Sequence, residues 1–243
     1  MSSRCGYVRR EVATNVSGIV LSCFGAEAFA FPPYHTTDAE TAGRDAIEWR
    51  LGLLEVERTD SVSERLAPLS HLNFGLGDHY EISSELEYSP DDGRLHDGAL
   101  GFKWAGTQDP LSFGVETLAL LPVQSNQSGS GIESQFLATL RRDLWRMHVN
   151  AGLSHDARGE EVEKGWRGSV LVELPRERMT PGFELFATEK RGENTKLQAG
   201  FGIIASFERI ELRTGLHVGL NDAAPDLEAS VWLSWKWQLE RDR

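Results

Sequence analysis

Apolar and polar residues alternate along most of the chain with a period of two, which is the pattern of β-strands that have one apolar face. In the clearest example, every second residue from Trp145 to Leu153 is apolar, whereas the residues between them, such as His148, are polar or glycine. The alternation predicts about twelve strands, at residues 46–57, 66–76, 79–89, 98–105, 111–122, 133–142, 145–154, 165–174, 182–189, 195–206, 209–220 and 228–239.

The connections between these strands alternate in length. Longer hydrophilic connections, such as 124–132 and 155–164, are interleaved with tight turns, such as Gly77-Asp78 and 206–208. An even strand number with long loops at one end and short turns at the other is typical of single-chain outer-membrane barrels. We therefore predict an all-β fold, a transmembrane antiparallel up-and-down β-barrel of about 12 strands that follows a cleaved signal peptide.

The polar face of the predicted strands carries many charges of both signs. Arg or Lys facing lipid would cost about 2–4 kcal/mol at the bilayer midplane, so in a membrane barrel this face must line the lumen. A soluble barrel would exchange the two faces, and alternation alone fits both. Aromatic residues near the predicted strand ends favour the membrane barrel, because rings concentrate at the lipid headgroups; they are Tyr80, Trp104, Trp145, Phe183, Phe207 and Trp237 beside the short turns, and Tyr88, Phe136 and Trp166 at the opposite end.

Composition excludes other classes of protein. The chain has 25 Lys plus Arg against 37 Asp plus Glu, and this formal charge of -12 argues against a nucleic-acid partner, which needs a positive surface. A mean hydropathy of -0.35, without an apolar run near 18 residues, excludes a helical membrane protein.

The first 30 residues have the features of a secretory signal peptide. Three arginines precede a mostly apolar stretch, and Ala28-Phe29-Ala30 offers a cleavage site. Cleavage after Ala30 would leave residues 31–243 without cysteine, since the two cysteines are Cys5 and Cys23, and would remove disulfides and thiolate chemistry. Lipoprotein processing at Cys23 is the alternative interpretation.

The predicted organisation has three parts. Residues 1–30 form the signal peptide, residues 31–45 a periplasmic N-terminal segment, and residues 46–243 an outer-membrane β-barrel with both termini in the periplasm. Because residues 31–45 are rich in proline and polar groups, they could fold back as a plug on the periplasmic side. The sequence leaves open whether the lumen is open, gated or plugged.

Three segments carry a resemblance to a known family. Residues 32–41 are similar to a Pro-rich, Thr-Asp-Asp-x-x-Thr start, residues 68–82 to a Tyr-Gly-Leu-Thr-Asp hairpin, and residues 98–104 to a Gly-Leu-Lys-Trp strand. Together they resemble an outer-membrane barrel family of transporters associated with the MetA pathway of phenol degradation. The resemblance implies passage of small molecules, hydrophobic or aromatic ones among them, across the outer membrane of a Gram-negative cell, and it implies no catalytic residues.

The predicted lumen face supplies the candidate residues of a solute path. Arginines on three consecutive strands would form a basic wall, and glutamates on two other strands an acidic one, a field that can orient a polar solute. Mutual pairing of these charges, which would close the lumen, is the alternative. The candidates are Glu81, Glu85 and Glu116 in the acidic wall, Arg141, Arg146 and Arg167 in the basic wall, and His148, Glu173, Arg213 and His217 elsewhere on the same face.

We predict no catalytic residue, metal site or cofactor, because HExxH, Walker A, GxGxxG and EF-hand spacings are absent from the sequence. The leading hypothesis is a passive channel or transporter whose partners are outer-membrane lipid, lipopolysaccharide and a small solute. A lipid-modifying barrel enzyme that uses His148 or His217 is one alternative, although such an enzyme needs a serine and a histidine adjacent on the lipid-facing side. A soluble periplasmic ligand-binding barrel is the other.

Overall fold

The computed structural model of the protein describes residues 32–59, 62–66, 69–89 and 93–239. The predicted signal peptide and both cysteines lie outside the described residues. The described part of the chain contains thirteen β-strands: β1 (Ala46–Thr59), β2 (Val62–Leu66), β3 (Leu69–Gly75), β4 (Tyr80–Ser89), β5 (Arg94–Gln108), β6 (Leu111–Leu120), β7 (Gly131–Arg141), β8 (Arg146–Asp156), β9 (Glu163–Glu173), β10 (Met179–Lys190), β11 (Lys196–Phe207), β12 (Ile210–Gly219) and β13 (Leu227–Gln238). No helix among these residues is long and apolar enough to cross a membrane.

The strands form one closed antiparallel barrel. From β3 to β13 each strand pairs with the next along the chain, and β13 pairs with β1 to close the sheet. Strands β2 and β3 pair in turn with the same edge of β1, so they share one position and the barrel has twelve positions. The predicted all-β, up-and-down barrel of about twelve strands is confirmed.

Several strands extend beyond their predicted bounds. Strand β5 begins at Arg94 rather than at residue 98, and β10 begins at Met179 rather than at 182. Backbone pairing explains the extension, because a ladder of hydrogen bonds continues through residues whose side chains do not alternate. The loop between β4 and β5 is therefore shorter than the sequence predicted.

The two ends of the barrel differ in their connections. At the turn end, where β1 begins and β13 ends, the connections are the short turns 76–79, 109–110, 142–145, 174–178 and 208–209. At the opposite loop end the connections include 121–130, 157–162, 191–195 and 220–226. Longer loops at one end and shorter turns at the other agree with the predicted asymmetry.

The outer face of the barrel is apolar and the inner face is charged. Leu153 on the outer face is 70% exposed and Leu185 is 55% exposed, whereas Lys103 and Arg213 on the inner face are at most 5% exposed. A soluble barrel has its apolar side chains inside, so the exterior of this barrel contradicts the soluble alternative.

Aromatic side chains cluster on the outer face near the turn end. The ring pairs are Tyr80 with Phe102 at 6.0 Å, Trp104 with Phe113 at 5.8 Å and Trp49 with Trp235 at 5.2 Å between centroids. Such a belt fits a membrane interface, where amphipathic rings meet the headgroups. Phe136 is an exception, because β7 begins at Gly131 and places this residue in mid-strand instead of at the strand end predicted.

The apolar exterior predicts a position-dependent cost for an added charge. We expect Leu185→Arg, in the middle of β10, to destabilise the barrel refolded in phospholipid vesicles by about 2–4 kcal/mol, because the guanidinium would lie near the bilayer midplane. Urea unfolding followed by tryptophan fluorescence measures the difference.

The matched control is Ile210→Arg, on the outer face at the turn end, where the same charge costs about 0–1 kcal/mol near the headgroups. Equal destabilisation by the two substitutions would show that no apolar slab surrounds the middle of the barrel.

Candidate functional site, a lumen crossed by the N-terminal segment

Residues 32–45, called here the N-terminal segment, lie inside the barrel. Tyr34 is 1% exposed and Ala39 is fully buried. Side chains of the barrel wall accept hydrogen bonds from the backbone of the segment, as when the Thr37 N–H donates to Asn150 Oδ1 at 2.7 Å. Buried backbone groups outside regular structure need such partners, so the wall is built to hold this segment.

The segment enters at the turn end and rises into the lumen. Arg44 donates hydrogen bonds to Asp78 in the β3–β4 turn, which lowers the pKa of the Asp78 carboxyl; both side chains are exposed, so the pair adds little stability. Farther in, the Ala42 N–H donates to Glu81 Oε2 at 2.5 Å and the Ala39 N–H to Thr139 Oγ1 at 2.9 Å.

The innermost part of the segment turns at His35 and then descends. His35 contacts His217 and Glu228, which lie in the halves of β12 and β13 distant from the turn end. The carbonyl of Pro32 then accepts a hydrogen bond from Arg213 Nη1 at 3.1 Å. The segment therefore forms an internal loop that spans the lumen from β4 to β13.

Inward-facing glycines make room for Pro33 and Tyr34. A Cβ atom added at Gly202 would lie 2.7 Å from Tyr34 Cε1 and 2.8 Å from Pro33 Cγ, and one at Gly182 would lie 2.5 Å from Tyr34 Oη. The Tyr34 ring packs with Leu171 and Ile204 in a buried cluster. Glycine at these strand positions lets the backbone of the wall approach the segment closely.

Two of the three arginines of the predicted basic wall bind the N-terminal segment. Arg141 forms an ion pair with Glu40, and Arg167 Nη2 donates to the carbonyl of His35 at 3.1 Å. Arg146 lies opposite Glu173 in the β8–β9 ladder and is exposed. The three arginines therefore have different partners and do not form a continuous basic wall along an open pore.

The predicted acidic wall contains basic side chains as well. Glu81 accepts a hydrogen bond from the segment, Glu116 accepts one from Gln135 Nε2 at 3.0 Å, and Glu85 lies 3.9 Å from His71 Nδ1. Lys103 stands among these groups and contacts Asp38 Oδ1 at 3.4 Å. The mixed charges match the alternative in which lumen charges pair with one another.

A buried network of charges joins the wall where the barrel closes. Glu48 accepts two hydrogen bonds of 2.9 Å from Arg50, one of 3.2 Å from Arg213 and one of 3.0 Å from Ser234 Oγ. Buried charges are tolerated only when they are paired and hydrogen-bonded, and both lone-pair regions of this carboxylate are used. The network fixes Arg213, which in turn holds Pro32.

Both candidate histidines are buried on the inner face. His148 joins Thr139 Oγ1 at 2.9 Å to Glu173 Oε2 at 3.2 Å, and His217 Nε2 lies 2.8 Å from Glu184 Oε2. The lipid-modifying alternative required them on the outer face beside a serine, and this requirement is not met.

Two polar cavities flank the N-terminal segment. One of about 250 Å³ is bounded by residues that include Arg50, Glu85 and Lys103, and one of about 290 Å³ by residues that include Arg146 and Glu173. Their linings include residues of the turn end, among them Arg209 and Arg176. The cavities could admit water, ions or a very small solute.

Arg158 closes part of the loop end, and the sequence analysis did not single it out. Its guanidinium, 3% exposed, donates to Asp156 Oδ2 at 2.7 Å, to Asp97 Oδ2 at 3.3 Å and to the Leu121 carbonyl at 3.2 Å. These bonds tie the 157–162 loop to β5 and to the start of the 121–130 loop. A basic residue in a loop is normally expected to be exposed to solvent, so the sequence gives little indication that Arg158 is buried.

Comparison with known proteins identifies the fold. No family model matches the sequence, and no curated protein does. Among solved structures, the COG4313 outer membrane channel from Pseudomonas putida F1 aligns with a TM-score of 0.63 at 11% identity over 82% of this chain and 98% of that one. The NanC porin aligns at 0.59 and 11% identity over 79% and 100%, and the KdgM porin at 0.58 and 9% over 78% and 98%. The fold is that of outer-membrane porins and channels.

This porin fold confirms the broad part of the predicted resemblance, namely an outer-membrane type of barrel. At 9–11% identity the likeness concerns the fold alone. The narrower relation to transporters of the MetA pathway gains no support from a family model.

The close approach of Gly202 to Pro33 and Tyr34 predicts a way to displace the N-terminal segment. In Gly202→Leu the new side chain would overlap Pro33 and Tyr34, and overpacking of this kind costs about 1–3 kcal/mol. This range of free energy corresponds to an increase in the displaced fraction by a factor between about 5 and about 100 or more. Chymotrypsin cleavage at Tyr34 in detergent measures that fraction, because the native ring is buried.

Gly168→Ala is the control, since Gly168 faces outward and an added Cβ would meet only ordinary contacts at 3.8 Å. Heat-shifted mobility on a gel should show that both variants retain the barrel. Cleavage at the native rate in folded Gly202→Leu would contradict the position of the segment.

Proposed function

We propose that the protein is an outer-membrane channel for small solutes, and that its N-terminal segment is the gate. The observation that carries the proposal is a charged lumen, inside an apolar exterior, that is filled by a segment held through side chains. Between Thr36 and Ala39 the segment contacts wall side chains, namely Glu184, Asn150 and Thr139, so its withdrawal breaks these contacts and leaves the hydrogen bonds between the barrel strands in place.

The orientation follows from outer-membrane barrels in general. Short turns and both termini face the periplasm in such barrels, so the turn end is the periplasmic side and the N-terminal segment enters from the periplasm. In this proposal the signal peptide ends at Ala30, the outer face contacts outer-membrane lipid and lipopolysaccharide, and the channel works passively, without catalytic residues.

The chemistry of the lumen indicates the solute. Both cavities are bounded mainly by charged and hydroxyl side chains, which suit a small polar or zwitterionic molecule better than an aromatic one. The motifs at residues 32–41, 68–82 and 98–104 remain the support for a relation to the MetA-pathway transporters, whose solutes include hydrophobic molecules. Liposome swelling with amino acids and with phenol would compare the two solute classes.

The gate predicts a conductance change. In planar bilayers, refolded native protein should show small or rare conductance steps, because the segment divides the lumen into cavities of about 250 and 290 Å³. Gly202→Leu should raise the conductance several-fold, whereas Gly168→Ala should behave as the native protein does. A folded Gly202→Leu barrel that conducts no better than the native one would argue against the gate.

The cavity beside Arg146 predicts the ion selectivity. Arg146→Glu should shift the reversal potential in a salt gradient toward cation preference, because the substitution reverses a charge at the cavity boundary. Arg142→Glu makes the same charge change in the exposed β7–β8 turn and should have a smaller effect. Equal shifts in the two variants would remove Arg146 from the solute path.

A further inference from the structure

Three side chains with metal-binding atoms meet where the N-terminal segment touches the wall. They are His35 of the segment, His217 of β12 and Glu228 of β13, and their ligand atoms all lie within 4.8 Å of one another. Glu228 Oε1 lies 3.2 Å from His35 Nε2 and 3.9 Å from His217 Nδ1. Each of the three residues is at most 9% exposed.

The ligand set and its spacing suit a zinc ion. Zinc binds His nitrogen and carboxylate oxygen at about 2.0–2.2 Å in tetrahedral geometry, which separates neighbouring ligand atoms by about 3.3 Å. The carboxylate oxygen lies 3.2 and 3.9 Å from the two histidine nitrogens, and all three atoms lie within 4.8 Å of one another, so shifts of the side chains can bring them to one ion. Two histidines and one glutamate are also a common protein ligand set of zinc sites that keep a position for water or a small ligand.

Outer hydrogen bonds hold two of these ligands in place. His217 Nε2 lies 2.8 Å from Glu184 Oε2, and this carboxylate also accepts hydrogen bonds from the backbone N–H groups of His35 and Thr36. An acceptor at Nε2 favours the tautomer with its proton there, which leaves the Nδ1 lone pair for a metal. Gln198 Nε2 donates to Glu228 Oε2 at 3.3 Å, so Oε1 is the oxygen that faces the histidines.

The rings are also positioned by packing. A Cβ atom at Gly200 would lie 2.0 Å from His217 Cδ2, so glycine at this position permits the ring orientation. The His35 ring stacks on Phe186 with 4.3 Å between centroids and 20° between planes. Both imidazoles are therefore fixed before any ion arrives, as a binding site needs.

We propose that His35, His217 and Glu228 bind a divalent transition-metal ion, with Zn²⁺ as the best fit, and that the ion fastens the N-terminal segment to the barrel wall. One ligand belongs to the segment and two belong to the wall, so all three can bind only when the segment is inside. The ion therefore stabilises the filled lumen by mass action. Its effect on conductance rests on the proposed function, whereas metal binding itself does not.

Zinc titration of the untagged, refolded protein tests the site. After treatment with a chelator, the protein should bind one Zn²⁺ per chain in competition with a chromophoric chelator, and Co²⁺ should give the visible bands of a tetrahedral site. His35→Gln and His217→Gln should each weaken binding by about tenfold or more, and Glu184→Gln by about 10- to 100-fold through the lost outer contact.

His71→Gln is the matched control, because His71 is also a buried inward histidine near a glutamate, Glu85, and lies outside the cluster. It should bind zinc as the native protein does. Heat-shifted mobility selects the folded variants, and the Co²⁺ spectrum of the native protein tests the site without any substitution. Absence of tetrahedral Co²⁺ bands, or equal zinc affinity in the native protein and the His35→Gln/His217→Gln variant, overturns the proposal.

Conductance separates this proposal from the proposed function. Zinc should lower the opening frequency of the native channel and leave that of folded His35→Gln unchanged. Tight zinc binding that depends on His35, without any effect on conductance, would uphold the metal site and overturn the gate.

Discussion

The structure depends on one constraint, that charges enclosed by a closed β-barrel must find partners inside it. Because the outer face is apolar, the inward strand positions carry the polar and charged side chains, and burial of an unpaired charge is costly. Wall residues pair with one another only in part, as Glu48 does with Arg50. Others, such as Lys103 and Arg141, pair with Asp38 and Glu40 of the N-terminal segment. The segment therefore completes the electrostatics of the lumen as well as filling it.

The barrel could be predicted from the sequence because its signal is local. Alternation with period two depends on neighbouring residues. Once a few inward-facing residues are identified, such as His148 and Asn150 on β8, the direction of every other side chain of the strand follows. Strand ends were less accurate, since pairing at Arg94 or Met179 depends on the partner strand and not on the alternation. The proline-rich residues before β1 suggested a plug without indicating which wall residues would receive it.

The site could be predicted only as a face, because its contacts join distant parts of the chain. Glu184 accepts hydrogen bonds from His35 and Thr36, which precede it by 149 and 148 residues, and nothing in the local pattern of β10 singles it out. The inward glycines at 182 and 202 could not be interpreted from the sequence either. Glycine is unfavourable within a strand, and its presence here is explained by the Tyr34 side chain, which occupies the space that a Cβ atom would need. Of the three arginines predicted to form a basic wall on β7 to β9, Arg141 and Arg167 have partners in the N-terminal segment, which the pattern of the strands does not indicate.

The arrangement of these partners determines what opening would require. Withdrawal of the N-terminal segment would remove Asp38 from Lys103 and Glu40 from Arg141 and would expose the carboxylate of Glu184, so water has to enter as the segment leaves. A hydrated charge costs far less free energy than a desolvated one, and one of the two cavities already borders Lys103 and its partner Asp38. At the loop end, Arg158 is bound between Asp97 and Asp156, independently of the segment. In the proposed channel the path through the barrel therefore meets two separate groups of paired charges, the contacts of the N-terminal segment within the lumen and those of Arg158 at the loop end.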